Sequence, residues 1–406
     1  MPLVVFRETR WTMKYGLCEN SPMALIMCSS VLIATNDLKG GAEIGRIAEQ
    51  LLEKLNPERT LCRCRYILEG LVYHWTSPLA NRLKPLMDGY AVGIRSGHTE
   101  EAMWTRKLNA TSIPCLYFCL QVHSIAHINI SPSPTFPYTV FHVIAYSWYS
   151  AKKLDDIKAF SIPACKQMKD LGKHAALLLA LPFVQIVLNL LGESSEDVCV
   201  LTGELMNADE YLSTVKETNH LMGLTAMQTI QLELQYLFHN LEAAENLLDK
   251  FDPGEKVYPG FYQTVRVAMF EALTCFDVAT SKSKSDQKKW WKKGENHLKR
   301  IKAWASAGNV NCVHSLSLVE AEQAVSKGDP ALAKSKYDQA IATAKRNGFI
   351  QDAALAHERA GLFFLAQDDT SWGKYHIEKS IKLYGDWGCK AKVTHLTEKY
   401  SDLLSS

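Results

Sequence analysis

The chain has 406 residues, enough for two or three globular domains or one extended solenoid, so length does not choose between them. Its 45 Lys and Arg against 43 Asp and Glu leave a formal charge of +2, which excludes a whole-chain electrostatic case for nucleic acid or a membrane surface. The 11 Cys show neither a C-x-x-C spacing nor an even framework, a usage that fits reduced thiols and a cytoplasmic protein rather than a disulfide scaffold.

In chain order, the opening residues lack the basic region, apolar stretch and small-residue cleavage site of a secretory leader, so none is expected there. Residues 16 to 110 read as helices with short breaks. Ile44, Ile47, Ala48, Leu51, Leu52 and Leu55 fall on one helical face, with Arg46, Glu49, Glu53 and Lys54 opposite. Asn56-Pro57 ends that helix, the next is expected over about 58 to 75, and a third runs to a turn at Gly97. The stretch 112 to 142 is rich in Cys, His, Phe and Tyr and ends in Ser131-Pro132-Ser133-Pro134-Thr135-Phe136-Pro137, a proline density that no helix interior tolerates. Helix resumes near Phe141. The run Ala175 to Leu191 is shorter than the roughly 20 residues of a membrane span, and it carries Pro182, Gln185 and Asn189, so a buried helix is expected. Helices follow over 205 to 220, 224 to 238 and 241 to 251, then an Asp252-Pro253-Gly254 turn. A helix over 259 to 279 shows one apolar stripe, Phe261, Tyr262, Val265, Met269, Ala272, Phe276 and Ala279, with a polar opposite side. Ser281 to Lys293 reads as charged and mobile, and six further helices are expected from about 290 to 403.

Chemistry-bearing patterns are sparse. Cys115, Cys119, His123 and His127 are each four apart, but on one helix the outer pair would lie roughly 18 Å apart and could not share an ion. Lys288-Lys289-Trp290-Trp291-Lys292-Lys293 interleaves base and aromatic, a composition suited to phosphates, yet it is short and reads better as a solvated helix start with a Trp tucked inward. No phosphate loop, H-E-x-x-H, G-x-S-x-G or dinucleotide fingerprint is present. No catalytic, cofactor-binding or metal-binding residue is therefore assigned, and no enzyme is expected. The triplets at Asn109 and Asn129 match a glycosylation acceptor that a cytoplasmic chain would not have modified.

The strongest pattern is a repeat. Shifted by forty, Asp329, Lys334, Ile341 and Gly348 land on Asp369, Lys374, Ile381 and Gly388. Small residues recur too, Ala321 over Gly361, Ala333 over Gly373 and Ala340 over Ser380, where the helices of a pair would approach closely. A period in this range points to stacked helix pairs, so the expected fold is all-α, a right-handed α-solenoid of TPR-like pairs.

Particular residues carry a resemblance. Trp304-Ala305, Asn311 to His314, and Leu318 to Glu322 begin it; Tyr337, Gly348-Phe349, Glu358, Tyr384, Trp387-Gly388, Lys392 and Tyr400 continue it. Upstream, His74-Trp75, Pro78-Leu79, Pro182, Gln185, Asn189 and Leu201 to Glu204 fit as well. Together these resemble the helical-repeat region of large signalling proteins that join a kinase-like module, an AAA-type ATPase of the STAND kind, a GAF domain and a histidine kinase. Cys312, Ser315 and Cys389 depart from that pattern, where it tends to aromatic, Lys and Ala.

The resemblance implies a non-catalytic scaffold for protein partners or an intramolecular relay, with no nucleic acid and no membrane span. The alternative it implies is a regulatory fragment of a hybrid histidine kinase or AAA ATPase whose catalytic modules lie elsewhere. The expected organisation is N-terminal helical repeats over 1–111, a Cys/His/Pro-rich insert over 112–142, middle repeats over 143–280, a basic linker over 281–294 and C-terminal TPR-like repeats over 295–406. The insert has no counterpart in the resembled region; a gene-model error and a genuine surface insertion both fit it.

Overall fold

The computed structural model describes residues 2–55, 58–95, 135–194, 197–250 and 260–405. Among them every regular element is helical, so the fold is all-α. The Cys115 to His127 row, the Asn109 and Asn129 triplets, Gly97, Asn56-Pro57 and the 252 to 254 turn lie outside the described residues.

The N-terminal third holds α1 (Pro2–Tyr15), α2 (Ser21–Ala34), α3 (Leu38–Leu55), α4 (Glu58–Ile67) and α5 (Leu83–Arg95). The helix expected to reach residue 75 changes character after Ile67, passing through a π turn over Leu68–Val72 and a 3-10 turn over Tyr73–Trp75. Gly70 lies in that segment with the His142 ring so close that a β-carbon there would come within 2.9 Å of it.

Helix α6 (Thr135–Tyr149) corrects the expected insert boundary. It begins seven residues before His142, and Thr139, Val140, Phe141 and His142 are buried core residues, so 135 to 142 belong to the fold. Pro137 is tolerated because it lies in the first turn, where the missing N–H has no intrahelical acceptor. The rest of the expected insert, 112 to 134, lies outside the described residues.

Next come α7 (Leu154–Asp170), α8 (His174–Leu191), α9 (Ala208–Glu217), α10 (Leu221–Leu237) and α11 (Leu241–Lys250). By length and composition α8 could cross a membrane, but 72% of it is buried inside the fold. Its polar residues have protein partners: Gln185 Nε2 donates to Asn189 Oδ1 at 2.8 Å, and Asn189 Nδ2 donates to the carbonyls of Val198 and Val200 at 2.9 and 2.7 Å.

Helix α12 (Gln263–Ser281) was expected to be amphipathic, yet Gln263, Arg266, Glu271 and Thr274 are as buried as its apolar residues. It is an internal helix, in which Arg266 pairs with Glu233 and Asp352 and Glu271 lies beside His297. Helix α13 (Lys284–Ser306) removes the expected linker, leaving only residues 282 and 283 between helices. Trp290 is buried and the Trp291 indole donates to Ser326 Oγ at 3.1 Å, so apolar anchorage turns the Lys-rich stretch into helix with its ammonium groups outward.

The chain ends with α14 (Val313–Lys327), α15 (Pro330–Arg346), α16 (Ile350–Leu365), α17 (Thr370–Trp387), α18 (Lys390–Lys399) and the short α19 (Ser401–Ser405). The forty-residue shift is legible in the backbone itself. Gly308, Gly348 and Gly388 all adopt positive φ at the turns, as do Gly328 and Asp368. Asp329 and Asp369 cap α15 and α17, accepting from Leu332 N and Trp372 N at 3.0 and 3.1 Å. Earlier turns keep a spacing near twenty, with positive φ at Ala151, Gly172 and Gly192 and again at Asn219 and His239. Close packing follows the small residues: a β-carbon on Gly361 would lie 2.9 Å from Ile377 Cδ1.

Helices pair in order, α7 with α8, α12 with α13, α14 with α15 and α16 with α17, but the chain also closes on itself because α18 packs against α8. One continuous apolar core runs from Val5 to Leu396.

Candidate functional site

The unusual chemistry of this molecule is internal. Helix α16 carries Asp352 and Arg359 seven residues apart, hence on one face, with Glu358 turned about 100° to the side. All three form ion pairs with helices more than thirty residues away in the chain.

At the first of these, Arg266 from α12 lies between Glu233 of α10 and Asp352. Its Nε and Nη2 donate to Glu233 Oε1 at 3.1 and 2.6 Å, and Nη1 donates to Asp352. His314 Nε2 stands 2.8 Å from the other Asp352 oxygen, its ring stacked on Phe349 at 4.3 Å. Burial works against the charge on Asp352, but Arg266 and His314 outweigh it and hold its carboxyl below the usual range. Glu233 goes the other way: burial dominates and raises it despite the same arginine. Ser315 Oγ also reaches His314 Nε2, at 3.4 Å. Hydroxyl and carboxylate thus meet the same ring nitrogen, whereas a proton relay of the triad kind uses both.

The second group joins α16 to α14 and α12. Arg359 donates to both Glu322 oxygens at 2.8 and 2.7 Å and to Asp277 Oδ1 at 2.5 Å, and the Tyr337 hydroxyl donates to Glu322 Oε1 at 2.7 Å. Burial pushes Asp277 up to about 6, Arg359 offsetting only part of it.

The third group ties α16 to α18 and to the end of α10. Lys392, with no exposed surface, donates to Glu358 Oε1 at 2.8 Å and to the Leu237 carbonyl. His239 Nε2 approaches the same oxygen at 2.5 Å and the Tyr384 hydroxyl reaches Oε2 at 3.2 Å. Lys399 donates to His239 Nδ1 at 3.1 Å, which makes that nitrogen the acceptor and leaves the proton on Nε2 for Glu358. Burial alone would raise Glu358, yet Lys392 and His239 bring it down to about 2.

Two further contacts tie the C-terminal helices to the first half of the chain. Asn311 uses its whole amide: Nδ2 donates to the carbonyls of His74 and Ser77, both at 2.7 Å, and Oδ1 accepts from Leu79 N at 2.9 Å. Trp304 sits beside, its ring 5.8 Å from that of Trp75. Trp387 donates its indole N–H to the Lys152 carbonyl at 3.0 Å and packs on Trp148 at 5.2 Å. Gly388, with φ of 98°, turns the chain against Leu154.

The residues singled out in the sequence therefore fall into five places, three ionic groups and two contacts with the first half of the chain. Glu322 and Tyr337 share one ionic group, Glu358, Tyr384 and Lys392 another, and His314 the remaining one; Trp304 and Asn311 meet the 74 to 79 loop, while Trp387 and Gly388 meet the start of α7. Sequence reading missed Arg266, Asp352, Arg359, Glu233 and His239. A signal was available for two of them: Arg266 stands between Val265 and Val267, and Glu233 between Leu232 and Leu234, so each is a charge flanked by apolar residues in a helix. Among the described residues, no group of three or more His, Cys, Asp or Glu side chains is placed to hold a metal ion. No family model matches this chain and no curated protein matches it.

Proposed function

We propose that this chain is a non-catalytic helical scaffold, a right-handed α-solenoid of TPR-like pairs, that binds protein partners and relays conformational change between modules of a cytoplasmic signalling assembly. Support for the solenoid comes from turns spaced by about twenty residues, which divide the repeat of forty into two helices each. The ATPase and histidine-kinase setting is what the resemblance implies.

The observation that carries the relay is Asn311. Its three hydrogen bonds cross more than 230 positions of sequence, and each is buried or nearly so. A displacement at the start of α14 cannot occur without moving the 74 to 79 loop or breaking those bonds. Hydrogen exchange on Asn311→Ala tests it. The relay predicts faster exchange around residues 74 to 79 and also in α10 and α12, which reach α14 through Arg266 and Asp352. Acceleration confined to residues near 311 would sink it.

A further inference from the structure

The outer surface of α15 and α17 combines a basic excess with exposed apolar groups. The two helices carry seven Lys or Arg, namely Lys334, Lys336, Lys345, Arg346, Lys374, Lys379 and Lys382, against Asp338, Glu378 and Asp386. The basic groups outnumber the acids of these helices by four, or by two with the capping Asp329 and Asp369 counted; α13, with eight Lys or Arg against two acids, is the other basic stretch. Only Lys336 and Lys382 of this set are held in ion pairs among the described residues, with Glu320 at 2.6 Å and Asp386 at 3.1 Å.

Large apolar side chains stand among these cations. Trp372 is 48% exposed, Tyr375 43% and Leu332 44%. Leu332 and Trp372 are related by the forty-residue shift, so the same first-turn position presents an apolar group in both repeats. The shelf is rigid: Trp372 stacks on Phe364 at 6.0 Å, meets Tyr375 edge-on at 5.4 Å and leans on the buried His376. Lys334 spans the gap from α15, its ammonium 6.0 Å from the Phe364 ring and 5.9 Å from the Trp372 ring. Lys345 is held below its usual value by partial burial and by the charge of Lys379, the mark of two cations sharing a region without enough carboxylate.

From this we infer that the α15–α17 face docks an acidic protein segment that also carries a large apolar side chain, the apolar group seating between Leu332 and Trp372 and the carboxylates on Lys334, Lys345 and Lys379. Rigid exposed aromatics are the residues that dominate protein interfaces, and the cations supply steering and register. This assignment rests on the reading of the chain as a protein-binding scaffold and names the partner's chemistry.

The test uses the full chain and a fluorescein-labelled peptide in which Glu alternates with Leu and Phe, alongside the same peptide with Gln for Glu, an oligothymidylate and phosphatidylserine vesicles. Expected is saturable binding of the Glu peptide that weakens with added salt, with the Gln peptide, Trp372→Ala and Lys379→Glu each weaker on the order of tenfold. Both substituted residues are on the surface, and circular dichroism confirms that each variant is folded. Equal binding of the Glu and Gln peptides overturns the charge argument. Tighter binding of oligothymidylate or vesicles, with the same sensitivity to both variants, overturns the partner class. Peptide binding indifferent to both variants, or no saturable binding, overturns the site. None of these outcomes alters hydrogen exchange in Asn311→Ala, so failure here is distinguishable from failure of the relay.

Discussion

Two buried carboxylates, Glu69 in the N-terminal third and Glu358 in α16, have nearly the same exposure and opposite electrostatic fates. Glu358 is brought down to about 2, whereas Glu69 is pushed up to about 7. Burial raises both. The difference lies in the donors. Glu358 receives Lys392, His239 and Tyr384 at close range. Glu69 has Arg82 at 2.8 Å and Arg65 only at 3.8 Å, because Arg65 is drawn to Glu49 at 2.5 Å, and Glu49 adds repulsion. Of these two, the carboxylate with several close donors is held charged, and the one whose second arginine is drawn away is not.

The largest test of that contrast is Lys392→Met, which leaves Glu358 buried without its principal cation. A loss of about 3–5 kcal/mol is expected by urea denaturation, with much of it recovered in the double variant Lys392→Met/Glu358→Leu. Arg65→Met should cost less than 1 kcal/mol or so, since Glu69 keeps Arg82 and the Arg65 side chain is partly exposed. A comparable loss at both positions would remove the distinction.

Asn311→Leu comes next. It strands two carbonyls and one N–H that the amide now satisfies, and a loss of about 3 kcal/mol follows from the unpaired groups. Thermal unfolding followed by Trp fluorescence checks it, since Trp75 and Trp304 adjoin the site.

The pH dependence separates the two carboxylates by sign. Glu358 is lowered, so its stabilisation is in place above about pH 4.5 and is lost as pH falls toward 2. Glu69 is raised, so its contribution is greatest below about pH 4.5 and declines as pH rises to 7. Glu69→Gln should therefore gain on the parent by about 3 kcal/mol as pH rises from 4.5 to 7, while the deficit of Glu358→Gln stays constant over that range and shrinks only as pH falls from 4.5 toward 2. A Glu69→Gln difference that stays constant with pH would mean that Arg82 keeps the carboxylate charged.

How far the sequence could show this depends on whether the signal is local. Gly348 and Gly388 announce the repeat because a positive φ at a helix end favours one residue type. The half-period was harder to see, since Asp368 occupies the position that Gly328 fills one repeat earlier. The composition of 281 to 294 suggests a linker, while Trp290 and Trp291 signal the helix start with a Trp tucked inward; α13 follows the second signal and extends it back to Lys284. Arg266 and Asp352 were illegible for a different reason. Their pairing spans 86 positions, and no periodicity within either helix reports which distant helix will lie against it. The seam is a property of the closed packing, and only its flanking pattern, a charge between apolar neighbours, reaches the sequence.

The smallest effect tests whether the repeat of forty is matched in energy as well as in form. Asp329 and Asp369 both accept a backbone N–H from the residue three ahead, at 3.0 and 3.1 Å, at the starts of α15 and α17. Each Asp→Ala change should cost about 1 kcal/mol through the lost cap, within the usual range for such sites. The two need not be equal. Asp329 is followed by Pro330, which fixes the first helical φ and already supplies part of what the cap supplies, whereas Thr370 does not. Asp369→Ala is thus expected to be the more costly of the two, with the double change additive because the sites share no partner. Equal costs would show that the proline leaves the cap's contribution unchanged, and a larger cost at Asp329 would place the weaker helix start at α15.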